Sequence, residues 1–260
     1  NLSLWIAASA ARSMLTSSPD SKEDFRDGLI RSLVQESGFP VACVEYRWAP
    51  ADPHPAQAID TVAALTLLTG PLLALEDGTP RWNRQRIYLI GHSAGAFIAA
   101  SIVLNPSSHP PSFAVPDLVR RSVRGVVYVD GIYDLQDLLK EYPIYSYFID
   151  DAFGKSSQYL ADESPAHWTL YPLSTSPFLR FLILHSQDDE LISLLQPKLF
   201  ASRLAALFGS SADDSSEGGR GAAGSFEVDY ETLRGKHEEL LKLPQLPLLT
   251  VKWIQRVELE

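Results

Sequence analysis

Gly91-His92-Ser93-Ala94-Gly95 directly follows the apolar run Ile87-Tyr88-Leu89-Ile90 and precedes the small apolar run Ala96-Phe97-Ile98-Ala99-Ala100. This order predicts a strand, a tight turn and a buried helix. The G-x-S-x-G spacing constrains the fold because a serine on so sharp a strand-to-helix turn sits in strained backbone. Glycines two positions to either side let the neighbouring chain pass close by. Such a turn lifts the Ser93 hydroxyl above the sheet edge. It also sets the Ala94 N–H at a helix N-terminus, where unpaired donors and the helix dipole favour a developing negative charge. Ser93 is the candidate nucleophile and Ala94 a candidate oxyanion donor.

The 260 residues, 45% of them hydrophobic, suffice for one large α/β core, and residues 1–260 read as a single domain. A formal charge of -10 argues against nucleic acid or an anionic membrane surface as partner, since both select a basic patch. A small-molecule substrate is the expectation. The one cysteine, Cys43, lies in the apolar run Pro40-Val41-Ala42-Cys43-Val44, which excludes a disulfide framework and predicts a buried, inert thiol. No stretch approaches the roughly 18 apolar residues a bilayer span needs, and no basic segment precedes an apolar one at the start. These features predict a cytoplasmic protein.

Along the chain, residues 2–8 read as a first strand, 12–20 as a turn, 22–36 as a helix and 40–46 as a buried strand. A helix over 56–68, the strand 86–90, a helix over 94–104 and strands at 123–129 and 178–184 continue the alternation expected of a mostly parallel sheet flanked by helices. Residues 106–116 hold four prolines and read as a surface loop. Residues 131–175 are rich in tyrosine and other aromatics without a strand pattern, and predict a helical excursion over the carboxyl edge of the sheet, where open α/β sheets bind ligands. Some of its aromatics then approach Ser93 while most pack it onto the body. Residues 209–224, dominated by Gly, Ser, Ala and Asp, read as a flexible insertion, before a strand at 226–230 and a closing helix over 248–257.

A serine hydroxyl needs a histidine within hydrogen-bond reach to take its proton, and an acid to fix the tautomer of that histidine. In this fold class the chain order is Ser, acid, His, with the acid after a late strand and the His after the last one. His237 fits that place. His185 ends a strand, His167 lies in the excursion, His109 lies in the proline-rich loop, His92 sits on the turn and would point elsewhere, and His54 precedes a helix and reads as structural. Gln187-Asp188-Asp189-Glu190-Leu191 offers three carboxylates. Asp189 is preferred. Glu190 reads as the start of the next helix and Asp188 as its cap, where a carboxylate favours the helix dipole without catalysis.

Glu45-Tyr46-Arg47-Trp48-Ala49-Pro50 resembles the E/D-Y-R-x-x-P element of the α/β-hydrolase superfamily. Asp130-Gly131-Ile132-Tyr133-Asp134-Leu135, Lys140-Glu141-Tyr142-Pro143 and Ala152-Phe153-Gly154, with the segments around Ser93 and Asp189, are similar to the fungal kynurenine formamidases. The resemblance runs from about residue 25 to the C-terminus. It implies the α/β-hydrolase fold, with Ser93, Asp189 and His237 as nucleophile, acid and base and with no metal or organic cofactor. The implied reaction is hydrolysis of N-formyl-L-kynurenine to L-kynurenine and formate, on the route of tryptophan degradation and NAD biosynthesis. It also implies a homodimer.

The family's H-G-G-x-W element, which completes the oxyanion hole, is absent from Ile6-Ala7-Ala8-Ser9-Ala10-Ala11-Arg12. Losing one such donor costs on the order of 100- to 1000-fold in turnover. Either Ala8 or Ser9 supplies the missing N–H, or the chain is a catalytically impaired hydrolase fold that acts as a binding protein. A carboxylesterase for small acyl groups is the alternative within enzymes.

Overall fold

The structure is a computed structural model that describes residues 3–9 (as backbone), 28–73, 78–79, 81–106, 114–154, 159–172, 178–209, 218–221 and 224–260. Among the described residues seven strands form one sheet in the order β2-β1-β3-β5-β7-β9-β8. They are β1 (Ser3–Ser9), β2 (Val41–Cys43), β3 (Asn83–His92), β5 (Val123–Val129), β7 (Leu179–Leu184), β8 (Gly218–Arg220) and β9 (Gly224–Asp229). All neighbouring pairs run parallel except β8 with β9.

Parallel strands are covered on both faces, which is why β3, β5 and β7 read as continuous apolar runs. Ile87, Leu89, Val126, Tyr128, Phe181 and Ile183 point into one core, while Tyr88, Ile90, Val127, Val129, Leu182 and Leu184 point into the other. Helices α1 (Arg31–Ser37) and α8 (Gln245–Leu259) contribute to the second core. The first takes in α2 (Ala56–Thr69), α3 (Ala94–Val103), α4 (Asp117–Ser122) and α7 (Leu195–Phe208). In α3 every residue from Gly95 to Val103 is buried, so this helix lies in the middle of the molecule with the Ser93 turn at its N-terminus. Among the described residues no helix is long and apolar enough to cross a membrane.

The excursion between β5 and β7 is helical, as its sequence predicts. It holds α5 (Leu135–Glu141) and α6 (Ser146–Phe153). Its start is pinned by buried Gln196, whose Oε1 accepts the N–H groups of Tyr133 and Asp134 at 2.8 Å each and whose Nε2 donates to the Asp134 carbonyl at 3.0 Å. Its far end returns through β6 (Thr169–Leu170), antiparallel to the two-residue β4 (Leu104–Asn105) after α3. Tyr133, stacked on Phe200 with centroids 4.3 Å apart, and fully buried Trp168 anchor the excursion to the body.

Two expectations are corrected. Cys43 is exposed, not buried, because β2 is a three-residue edge strand whose last side chain faces outward. Residues 209–224 are not wholly an insertion: Gly218–Arg220 forms the edge strand β8, where ladder hydrogen bonds compensate for poor strand propensity. Residues 210–217 and 222–223, the turn expected at 12–20, His109 and the first part of the helix expected over 22–36 lie outside the described residues.

Candidate active site

Ser93 stands between β3 and α3 with φ 56° and ψ -123°, a conformation that costs a non-glycine residue on the order of 1–3 kcal/mol. Neighbouring backbone holds it there: its N–H donates to the Val129 carbonyl of β5 at 3.0 Å, and its carbonyl accepts from the Ala96 N–H at 3.0 Å. Ala94 is the first residue of α3, so no carbonyl one turn back is available to its N–H. Gly91 explains the first glycine of the spacing. A Cβ there would lie 2.4 Å from the Gly95 carbonyl oxygen, a backbone atom that no rotamer change can move. Gly91→Ala is therefore expected to destabilise the fold by about 3 kcal/mol or more, read as a lowered urea midpoint.

His237 lies in the loop after β9 and is buried. Its Nδ1–H donates to Asp189 Oδ2 at 2.8 Å. The other carboxylate oxygen, Asp189 Oδ1, accepts the N–H groups of Leu191 at 2.8 Å and Ile192 at 3.0 Å. Burial works to raise the Asp189 carboxyl, but the hydrogen bond and charge of His237, with those two N–H groups, outweigh it and hold the group below its ordinary value. Asp189 and His237 are thus brought together, on the loops following β7 and β9.

The two neighbouring acids do something other than start a helix. Helix α7 begins at Leu195, and Glu190 Oε2 instead accepts the His237 N–H at 3.0 Å, while Asp188 Oδ2 accepts the Gly235 N–H at 3.3 Å. Together with Ser186 Oγ, which donates to the Gly235 carbonyl at 2.6 Å, they latch the loop of His237 to the loop of Asp189. His92 does not point elsewhere. Its Nε2 donates to the His237 carbonyl at 2.9 Å and its ring packs 4.6 Å from that of His237, which sets His237 against the Ser93 turn. Burial, with the nearby His237, pushes the His92 imidazole well below its ordinary value, so it serves as a neutral donor. His92→Phe keeps the ring but leaves that carbonyl without its donor. A loss of about 1–3 kcal/mol in chemical denaturation is expected.

Sequence reasoning missed Asp130 and the part played by His185, which lie buried beside Asp189. Ring nitrogens and carboxylate oxygens of His92, Asp130 and His237, and of Asp130, His185 and Asp189, approach one another within 4.8 Å. Hydrogen bonds account for the proximity: His92 Nε2 is committed to a carbonyl, His237 Nδ1 to Asp189 and His185 Nε2 to the Ile192 carbonyl. Of the remaining histidines, His167 pairs with Asp134 at 2.8 Å, and His54 lies on a pocket wall against Phe153.

Ala8 and Ser9 end β1 in register with Gly91 and His92, which brings them to the rim of the site beside β3. The continuation from Ala10 lies outside the described residues. Beside the turn is an apolar cavity of about 70 Å³, whose walls include Ala94, Tyr46, Trp48, Phe97, Phe148 and Phe153. The excursion contributes Phe148 and Phe153 to it, while Tyr147 and Tyr159 face solvent. The loop carrying Tyr46 and Trp48 is fixed by Arg47, whose backbone N–H, Nε and Nη2 all donate to the Asp60 carboxylate of α2. A larger open groove of about 690 Å³ between β9 and α8 contains none of Ser93, Asp189 and His237.

Residues 15–194, more than half of the chain, match the family described as alpha/beta hydrolase fold. The chain belongs to that family. Kynurenine formamidases are among its relatives. That of Meyerozyma guilliermondii is 32% identical over 164 residues, covering 63% of this chain and 58% of the relative. That of Eremothecium gossypii is 35% identical over 169 residues, covering 63% and 64%, and that of Saccharomyces cerevisiae 30% over 183, covering 67% and 65%. The chain thus spans less than two thirds of the length of these relatives. In three dimensions the chain resembles fungal esterases from Rhizomucor miehei, with a TM-score of 0.65 at 14% identity over 98% of this chain and 73% of that one. A thermostable esterase from Pseudomonas putida gives 0.60 at 16% identity over 98% and 71%.

Proposed function

We propose that this hydrolase cleaves the formyl amide of N-formyl-L-kynurenine, releasing L-kynurenine and formate, with Ser93, His237 and Asp189 as nucleophile, base and acid. The observation that carries the reading is the 2.8 Å bond from His237 Nδ1 to Asp189, made by a histidine packed against the turn that strains Ser93. Nδ1 is thereby kept protonated and Nε2 left with the lone pair that general-base catalysis needs. The relatives' shared name supports the substrate.

In this mechanism His237 Nε2 takes the Ser93 hydroxyl proton as Oγ attacks the formyl carbon. The resulting oxyanion is held by the Ala94 N–H and by a second donor from the rim at Ala8 or Ser9. Collapse breaks the C–N bond, and the leaving arylamine takes the proton from His237. Water, deprotonated by the same nitrogen, then cleaves the formyl ester, so that formate leaves and Ser93 regains its proton. The apolar cavity beside Ala94 suits part of a flat aryl group, and the formyl group itself needs little room.

The test is turnover by purified protein of N-formyl-L-kynurenine, followed as kynurenine absorbance, against p-nitrophenyl acetate. A larger kcat/KM on the formyl amide supports the proposal. Turnover of the ester alone overturns the substrate in favour of a small-acyl esterase. Failure on both, with no fluorophosphonate adduct at Ser93, overturns catalysis altogether.

A further inference from the structure

Asp130 follows β5 as Asp189 follows β7, and the two neighbouring strands deliver two buried carboxyls to one place. Asp130 is held there by a positive φ of 42° and by its N–H, which donates to the Leu184 carbonyl at 3.1 Å. Its surroundings are unequal to those of Asp189. Asp189 accepts three N–H donors, from His237, Leu191 and Ile192, whereas Asp130 accepts one, the Ser186 N–H at 2.8 Å on Oδ1. Asp130 Oδ2 is buried and, with both carboxyls ionised, has no donor at all. A carboxylate oxygen of Asp189 lies within 4.8 Å of one of Asp130, so a single proton on Oδ2 would give the buried pair a donor.

We propose that Asp130 is a positioning residue of the hydrolytic site, a neutral carboxylic acid whose hydroxyl donates to Asp189 and so fixes the carboxylate that orients His237. This rests on the Ser93–His237–Asp189 reading above. Burial comes first among the forces that favour the proton on Asp130, followed by the charge of Asp189 and, against it, the Ser186 N–H; the bond to Asp189 and the charge of Glu190 add to the upward push. The other titratable groups around it are His185, His92, His237 and Tyr133. His185 is the competing seat for the proton, since its Nδ1 stands 3.4 Å from Asp130 Oδ1. Burial disfavours the imidazolium there, and Nε2 already spends its hydrogen on the Ile192 carbonyl.

The neutral form has a consequence for catalysis. Two ionised carboxylates beside His237 would place two negative charges in a buried site, whereas an acid pair carries one. A hydrogen bond from Asp130 also fixes the plane of the Asp189 carboxylate.

Asp130→Asn offers an amide donor to Asp189 and an acceptor to Ser186, and asparagine tolerates positive φ. Asp130→Gly removes the group without backbone strain. The expected result is that D130N keeps kcat/KM within about fivefold of the parent, while D130G loses about 10- to 100-fold with KM little changed, the range for outer-shell hydrogen bonds. Equal losses in both variants overturn the donor role. The second readout needs no turnover. A carboxyl raised in the folded state takes up a proton on folding, so its contribution is full below the unfolded value of about 3.9 and is lost as pH rises toward the folded value. The Tm of D130N minus that of the parent is expected to be more positive at pH 8 than at pH 5. A flat or reversed difference places the proton elsewhere and overturns the proposal. Should the parent turn over neither substrate, the hydrolase reading fails, and a rising Tm difference still establishes the acid pair.

Discussion

Ser93→Ala is expected to lower turnover of N-formyl-L-kynurenine by on the order of 10⁴- to 10⁶-fold, the range seen when the nucleophile of a Ser-His-Asp site is removed. The structure separates this loss from any loss of fold. Ser93 holds its place through its backbone N–H and carbonyl, bonded to Val129 and Ala96, and both survive the substitution. Serine and alanine each carry a Cβ, so the strain at φ 56° is common to both proteins. The variant is expected to unfold within about 1 kcal/mol of the parent, as surface-like changes without a packing defect do. His237→Ala should lower turnover comparably. The double variant should be no worse than either single one, because the two side chains act as one unit. Turnover surviving in the Ser93→Ala protein would place the nucleophile elsewhere.

The strained turn at Ser93 is legible in the sequence because its constraint is local: the apolar strand, the two glycines and the small-residue helix are contiguous, and each demands the others. The placing of Asp189 and His237 is legible for a different reason. Chain order in this fold assigns them to the loops after β7 and β9, and the sequence marks both strands clearly. Asp130 carries no comparable signal. Followed by Gly131, it reads as an ordinary turn at a strand end, and its importance arises from a neighbour that only the pairing of β5 with β7 brings near. His92 and Glu190 were hidden likewise, since each acts on the backbone of His237 and not on a side chain that a motif would name. Cys43 misled because an apolar run says which residues are strand-like, not whether the strand lies at the edge. The β8 strand was hidden by composition, its two glycines and an arginine being drawn into the sheet by pairing with β9.

Asp189→Asn is the substitution whose effect the hydrogen-bond pattern dictates most closely, with an expected loss of about 10⁴-fold in kcat. In the parent, Oδ1 is committed to two backbone donors, the N–H groups of Leu191 and Ile192, and Oδ2 faces His237 Nδ1. An asparagine must keep its oxygen on those two donors. Its NH₂ group then occupies the place of Oδ2 and donates to Nδ1, which moves the imidazole proton to Nε2, where it blocks acceptance of the Ser93 proton. The base is thus present, packed as before and in the wrong tautomer. Stability moves separately. A carboxyl held below its ordinary value in the folded chain contributes stability that is present above the unfolded value near 3.9 and is lost as pH falls through the folded value. The Tm of the Asp189→Asn protein should therefore fall less steeply than that of the parent below about pH 4. Single-turnover kinetics at neutral pH, with Tm recorded from pH 3 to 7, check both parts. A loss under tenfold would mean that Asp189 does not set the tautomer of His237.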